Sequence, residues 1–283
     1  MKGKNTAHSI RERLLNYAKN SQQDFSLVLL RYANERMLYR LGKSAFADRF
    51  LLKGATLFLI WNESKPHRPT RDVDLLGFGP EDEHEIRHDF LLLCAMHEED
   101  GIEYDPASIT IGKIREDQRY GGRRVELRGT LHGARVALQF DIGFGDVVTP
   151  APDFVEIPVI LSGLEAPRLM AYPVYTVIAE KLEAMVQLGI DNSRMKDFYD
   201  LDFLLARFAL DDDILRQAIR NTFERRQTPL PTATPTVFSP EFLIRKALLW
   251  QQFLKRNQLL ESDRSWEAVL DGLRDRLLPL LGQ

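Results

Sequence analysis

Three aspartates carry the strongest chemical signal in this chain. Asp72 and Asp74 stand two apart in the run Arg-Asp-Val-Asp-Leu-Leu at 71–76, and Asp141 closes the alternating run Arg-Val-Ala-Leu-Gln-Phe-Asp-Ile at 135–142. On a strand, residues two apart point to one face. Two carboxylates held that way repel, and one is driven toward protonation unless a cation lies between them. An oxygen-only ligand set completed by water suits Mg²⁺ or Mn²⁺. In the second run Val136, Leu138, Phe140 and Ile142 face one way, so Asp141 falls on the less apolar face, where it could complete a metal site with Asp72 and Asp74. Two metals bridging phosphates would stabilise both the attacking and the leaving oxygen of a phosphoryl transfer. An Asp-x-Asp pair is also what a solvated strand end looks like, and Asp141 could equally face water from an edge strand.

Other residues fit the same chemistry. Gly54 lies after an apolar strand and opens an apolar helix, and Thr56 follows it with a hydroxyl donor. A glycine at such a junction lets a phosphate approach backbone amides at a helix start, although it could be a plain turn residue, and the spacing is not that of a P-loop. Lys181, flanked by Glu180 and Glu183 in an otherwise apolar helix, could reach a triphosphate as a point charge or simply lie on the surface. Asp197 is placed to cap a helix or to orient Lys181, with Arg194 and Lys196 adding positive charge beside it and Asp200 locking the helix one turn on. Cys94, in Leu-Leu-Leu-Cys-Ala-Met, reads as a core thiol rather than a nucleophile. His84 and His88 are four apart but lack the His-Glu-x-x-His order and read as an exposed helical face.

The elements that must position these residues follow from periodicity and caps. Helices are expected over 8–20 and from Asp24, an N-cap, to Gly42, a C-cap. A short strand at Phe50–Leu52 leads through Gly54 into a helix at Ala55–Trp61, which Pro66 and Pro69 end. A strand at 71–76 and a helix at Glu83–His97 come next. Two-residue alternation then predicts strands at 109–114, 123–131 and 135–142, the last two joined as a hairpin at His132-Gly133, with another at 155–161. After Pro167 the texture is helical: Val174–Leu188, Asp197–Phe208 and Asp211–Phe223, then a four-proline loop at 226–240, then Glu241–Asn257 and Trp266–Leu280.

Several of these motifs together resemble a known family. The order Lys53-Gly54-Ala55-Thr56, then Arg68-Pro69-Thr70-Arg71-Asp72-Val73-Asp74, resembles the nucleotidyltransferase family of AbiEii/AbiGii toxins, within the DNA-polymerase-β-like superfamily. There a Lys-Gly-Gly-Thr stretch precedes an Arg-x-Thr/Ser-x-Asp-x-Asp strand. This chain departs at Ala55, which keeps the backbone amide but narrows its permitted dihedrals. Tyr-Pro-Val-Tyr-Thr-Val-Ile-Ala-Glu-Lys from 172, Ser-Arg-Met-Lys-Asp-Phe-Tyr-Asp-Leu from 193, and Thr-Phe-Glu-Arg-Arg-Gln-Thr-Pro-Leu-Pro from 222 extend the likeness over about residues 22 to 257.

The resemblance implies an α+β fold: a nucleotidyltransferase core with a mixed β-sheet flanked by helices over 1–165, including N-terminal helices, then an all-helical C-terminal domain over 166–283. It implies Asp72, Asp74 and Asp141 as ligands of Mg²⁺ or Mn²⁺, and Gly54, Thr56, Arg68 and Lys181 as holders of a nucleoside triphosphate. Lys181 and Asp197 fall where the family has a functional lysine and aspartate. The implied reaction moves a nucleoside monophosphate to an acceptor, foremost RNA such as a tRNA 3′ end. The implied setting is the toxin of a bacterial type IV toxin–antitoxin or phage-defence pair, with a cognate antitoxin encoded in the same operon. Two rival readings stand beside it: an antibiotic-type small-molecule nucleotidyltransferase, and a non-catalytic nucleotide-binding module.

Composition narrows the field. The 283 residues hold 38 Lys and Arg against 41 Asp and Glu, a net charge of -3, which argues against binding nucleic acid by bulk positive charge. Between Arg216 and Arg276 the balance reverses, with eleven basic residues to seven acidic, so engagement of one RNA end stays compatible with the charge. A single cysteine rules out a disulfide framework. The lack of a long apolar stretch and of an apolar core behind the N-terminal basic residues predicts a cytoplasmic protein with no membrane partner.

Overall fold

In the computed structural model, residues 2–114, 121–259 and 264–282 are described. Among them the chain forms nine α-helices and a seven-stranded mixed sheet, an α+β architecture. It divides into two compact units, the first 1–145 with 153–171 and the second 146–152 with 172–283. No helix among the described residues is long and apolar enough to cross a membrane.

The first unit holds the sheet. Its strands are β1 (Phe50–Lys53), β2 (Asp72–Gly77), β3 (Ile102–Lys113), β4 (Gly122–Leu131), β5 (Ala134–Phe144), β6 (Asp153–Glu156) and β7 (Arg168–Ala171), in the order β3-β4-β5-β2-β1-β7-β6. The β2–β5 and β1–β7 pairs are parallel and the rest antiparallel. The β4–β5 hairpin turns at His132-Gly133, where both residues take positive φ (42° and 80°), the geometry whose twist matches paired strands. Strand β3 starts earlier than alternation predicts, because Asp105-Pro106 interrupts the pattern and the pairing shifts register between Asp105 and Thr110. The strand expected at 155–161 is instead β6, ending at Glu156, and β7 is an additional short strand.

Helices α1 (Lys2–Asn20), α2 (Phe25–Lys43) and α4 (Glu83–Ala95) belong to this unit, as does the single turn α3 (Phe58–Trp61). Helix α2 packs on β5 and β7, and α4 packs on β3. They cover the face bearing Leu138, Phe140 and Ile142; Phe90 of α4 meets Phe140 edge to face with centroids 5.3 Å apart. Asp24 caps α2, accepting from the amides of Ser26 and Leu27. Gly42 lies one residue inside the helix end, which is at Lys43, and its bare Cα lets the Arg168 carbonyl pass where a Cβ would stand 2.4 Å away.

Helix α2 also buries charge. Arg36 and Arg40, each 2 % exposed, converge on Asp100, with Arg40 Nη1 2.6 Å from Asp100 Oδ2. Glu35 accepts the Ile160 amide at 2.8 Å. Each charge is thus paired or hydrogen-bonded, as burial demands.

The second unit is helical: α5 (Val174–Leu188), α6 (Met195–Arg207), α7 (Asp212–Arg225), α8 (Pro240–Arg256) and α9 (Trp266–Leu281). Phe198, Phe242, Trp250 and Trp266 form its aromatic core, Trp250 and Trp266 stacking with centroids 5.0 Å apart. Arg226 ties the end of α7 to Glu183 (2.9 Å), to Glu180 (3.2 Å) and to Asp146 (3.2 Å).

Candidate active site

The parallel register of β2 and β5 builds the first cluster. Asp74 stands beside Asp141 and Asp72 beside Gln139. Because β5 lies between β4 and β2, Asp141 is on an interior strand rather than a sheet edge. Its apolar neighbours Phe140 and Ile142 turn into the core and it turns to the opposite face with Asp72 and Asp74. One carboxylate oxygen from each of the three lies within 4.8 Å of the others, and all three residues are half-buried. Three hard oxygen donors so close, on a face open enough for water, fit an Mg²⁺ or Mn²⁺ ion.

The surroundings hold these acids in place. Thr70 donates its hydroxyl to Asp72 Oδ1 at 2.9 Å. Gly54 takes a φ of +73°, and a Cβ there would fall 1.9 Å from Asp74 Oδ2. Its glycine therefore leaves room for the Asp74 carboxylate, a demand that a turn-glycine reading does not foresee. Thr56 follows in the 3-10 turn 54–57 and is largely buried. Arg68 is half-buried in the loop leading into β2.

Two cations also lie on this face: Lys53, which sequence reasoning places in the Lys-Gly-Ala-Thr motif without giving it a role, and Arg124, which it passes over. Lys53 is in register with Asp74, and its Nζ lies 3.8 Å from where a Cβ on Gly143 would be. Arg124, in register with Asp141, donates Nε to Oδ1 and Nη2 to Oδ2, each at 2.8 Å. Alternation with Val125, Leu127 and Leu131 puts Arg124 on the polar face of β4 and Arg123 on the other, where it meets Glu81 at 3.0 Å.

The second cluster lies within the helical unit. Lys181 on α5 donates to Asp197 Oδ1 and Asp200 Oδ2, both at 2.7 Å, and Arg194 Nε donates to Asp197 Oδ2 at 2.6 Å. Asp197 and Asp200 are 1 % and 0 % exposed. Lys181 is therefore an enclosed ammonium rather than a surface lysine. Asp197 does not cap α6; the helix begins at Met195 and Arg194 occupies the cap position. Burial pushes the Asp197 carboxyl up, but the Lys181 and Arg194 charges outweigh it and hold the group below the ordinary carboxylate range.

Among the described residues, Asp72, Asp74 and Asp141 are the one group of acids, histidines or cysteines spaced to hold a metal. A family model for the nucleotidyl transferase AbiEii toxin of type IV toxin–antitoxin systems matches residues 36–272. The chain belongs to this family. The match takes in both the carboxylate triad and the Lys181 cluster, and as an AbiEii member the chain is a nucleotidyltransferase of the toxin class. No curated protein matches it. Among solved structures it is similar to JHP933 from Helicobacter pylori, at 16% identity and a TM-score of 0.41, over 82% of this chain and 97% of that one. It is also similar to a second H. pylori chain, provisionally described as a nucleotidyltransferase, at 17% identity and a TM-score of 0.40, over 82% and 98%.

The remaining candidates have quieter roles in the AbiEii chain. His84 and His88 are exposed on α4. Cys94 is half-buried, and burial pushes its thiol up to about 11, away from nucleophilic use.

Proposed function

We propose that this AbiEii-family chain transfers a nucleoside monophosphate from a nucleoside triphosphate to the 3′ end of an RNA, tRNA being the leading acceptor, and that Asp72, Asp74 and Asp141 hold the divalent ions the transfer needs. The observation that carries this reading is the meeting of the three carboxylates on one sheet face, their oxygens within 4.8 Å. Mg²⁺ or Mn²⁺ bound there would supply Lewis-acid stabilisation of phosphate charge. The core over 1–165 would carry the transfer chemistry and the helical domain over 166–283 the held lysine.

The chain's own residues divide the remaining work. The backbone at Gly54–Thr56 and the Thr56 hydroxyl bind phosphate oxygens, and Arg68 offsets their charge. Within the helical unit, Asp197 and Asp200 hold the Lys181 ammonium in one place, and Lys181 serves as the functional lysine that the family resemblance implies. Asp141 takes the proton of the acceptor hydroxyl as the oxygen–α-phosphorus bond forms. The bond between the α-phosphorus and its bridging oxygen breaks, and pyrophosphate leaves. As the toxin of its pair, the protein has a cognate antitoxin encoded beside it, which acts without having to bind the toxin, and interference with tRNA underlies phage defence in the bacterial cytoplasm.

The test incubates purified protein with each α-labelled NTP, Mg²⁺ and total RNA. Label in a tRNA-sized band, lost on RNase treatment and absent with Asp74→Ala, is the expected result. Label only in a small-molecule or protein fraction would overturn the RNA assignment.

A further inference from the structure

The third carboxylate differs from its two neighbours in what already occupies it. Arg124 Nε and Nη2 grip both Asp141 oxygens at 2.8 Å, and Gln139 Nε2 adds a bond to Oδ1 at 3.2 Å. A bidentate fork of this kind is the strongest form of Arg–carboxylate pairing; it takes one acceptor position on each oxygen, and Gln139 takes the second on Oδ1. A guanidinium this close also repels an incoming dication. The fork lies cross-strand, Arg124 on β4 against Asp141 on β5, so the sheet itself sets it. The two partners are unequally held: the Arg124 side chain is 37 % exposed and that of Asp141 13 %. Arg124 can therefore swing into water without opening the core, whereas Asp141 stays where β5 puts it.

We propose that Arg124 is a positioning residue acting as an exchangeable counter-ion: it holds Asp141 oriented until a divalent cation takes that carboxylate, and the cation and the guanidinium compete for it. This rests on the reading of the triad as a metal site. Its consequence is ordered loading. A cation can settle between Asp72 and Asp74 without displacing the fork, but one that uses Asp141 binds against it, so the site that would serve the acceptor hydroxyl fills last.

Mn²⁺ titration of the full-length protein, reading free Mn²⁺ by electron paramagnetic resonance, tests this without any transfer assay. Arg124→Gln should tighten the weaker Mn²⁺ site about fivefold, the weight of one half-exposed ion pair, and leave the tighter site unchanged. Arg124→Lys, which keeps the charge without the fork, should fall between. In an Asp141→Asn background, Arg124→Gln should have no effect. Weaker or unchanged Mn²⁺ binding in Arg124→Gln, with its unfolding midpoint intact, would overturn the exchange and leave Arg124 as a simple brace. An effect that persists with Asp141→Asn would also overturn it. Absence of any Mn²⁺ site in the unmodified protein would overturn the metal reading together with it.

Discussion

The two acid clusters use the same residue types and reach opposite electrostatic states. On the sheet, the parallel register of β2 and β5 brings three half-buried aspartates together, with Arg124 gripping one of them. In the helical unit, Asp197 and Asp200 are sealed from solvent and share Lys181, with Arg194 on the outer side. The difference lies in what backbone geometry allows. A pleated strand fixes side chains at period 2 and cannot turn adjacent acids away from each other. Helices α5 and α6 let a long lysine reach between two acids one turn apart. The sheet cluster thus keeps its acids half open to solvent, and the helical cluster seals its acids around a lysine of its own.

That comparison can be broken by substitution. Asp200→Ala leaves the enclosed Lys181 short of a partner and should cost about 3–5 kcal/mol in urea unfolding. Asp72→Ala, which removes one of three mutually repelling charges, should cost less than about 0.5 kcal/mol or stabilise the fold. Equal losses at the two sites would end the distinction.

Acid stability sharpens it further. The folded-state Asp197 carboxyl titrates below its unfolded value of about 3.9. Its contribution is therefore complete above that value and is lost as pH falls through the lower, folded one. Lys181→Met removes the dominant stabilising charge, so acid unfolding should begin at higher pH than in the unmodified protein. An unchanged acid transition would contradict the pairing.

Gly54→Ala comes next in size. A Cβ 1.9 Å from Asp74 Oδ2, on a backbone at φ +73°, must displace the carboxylate or strain the turn. We expect a loss of about 1–2 kcal/mol in thermal or urea unfolding, together with weaker Mn²⁺ binding. The smallest effect belongs to His84→Ala with His88→Ala, two exposed positions on α4, where stability should change by less than about 0.5 kcal/mol and transfer not at all.

These contrasts also show what a sequence can disclose. Asp72, Asp74 and Asp141 are legible because strand alternation alone puts each on the polar face of its strand. The elements around them are legible for similar reasons: Asp24 is a good cap, and His132-Gly133 suits a tight hairpin. What is not legible depends on register and distant partners. Alternation puts Arg124 on the polar face of β4, but that it stands opposite Asp141 is set by the cross-strand register. Strand β7 is four residues long and joins β1 through the pair Leu52–Ala171, too brief a run for periodicity to mark. Arg36 and Arg40 look like a helix's wet side until Asp100, sixty-odd residues on, is seen to neutralise them together with Glu35. Asp197 has the right residue type for a cap and is instead drawn inward by Lys181 and Arg194.

If the sheet carboxylates, and not the fold they stand on, make the transfer possible, removing one charge must stop the reaction without unfolding the protein. The most direct measurement is the rate of nucleoside monophosphate transfer by Asp74→Asn, beside its unfolding midpoint in urea. A fall of about 100-fold or more in rate is expected, with the midpoint unchanged or raised. Transfer at the unmodified rate by a folded Asp74→Asn protein would contradict it.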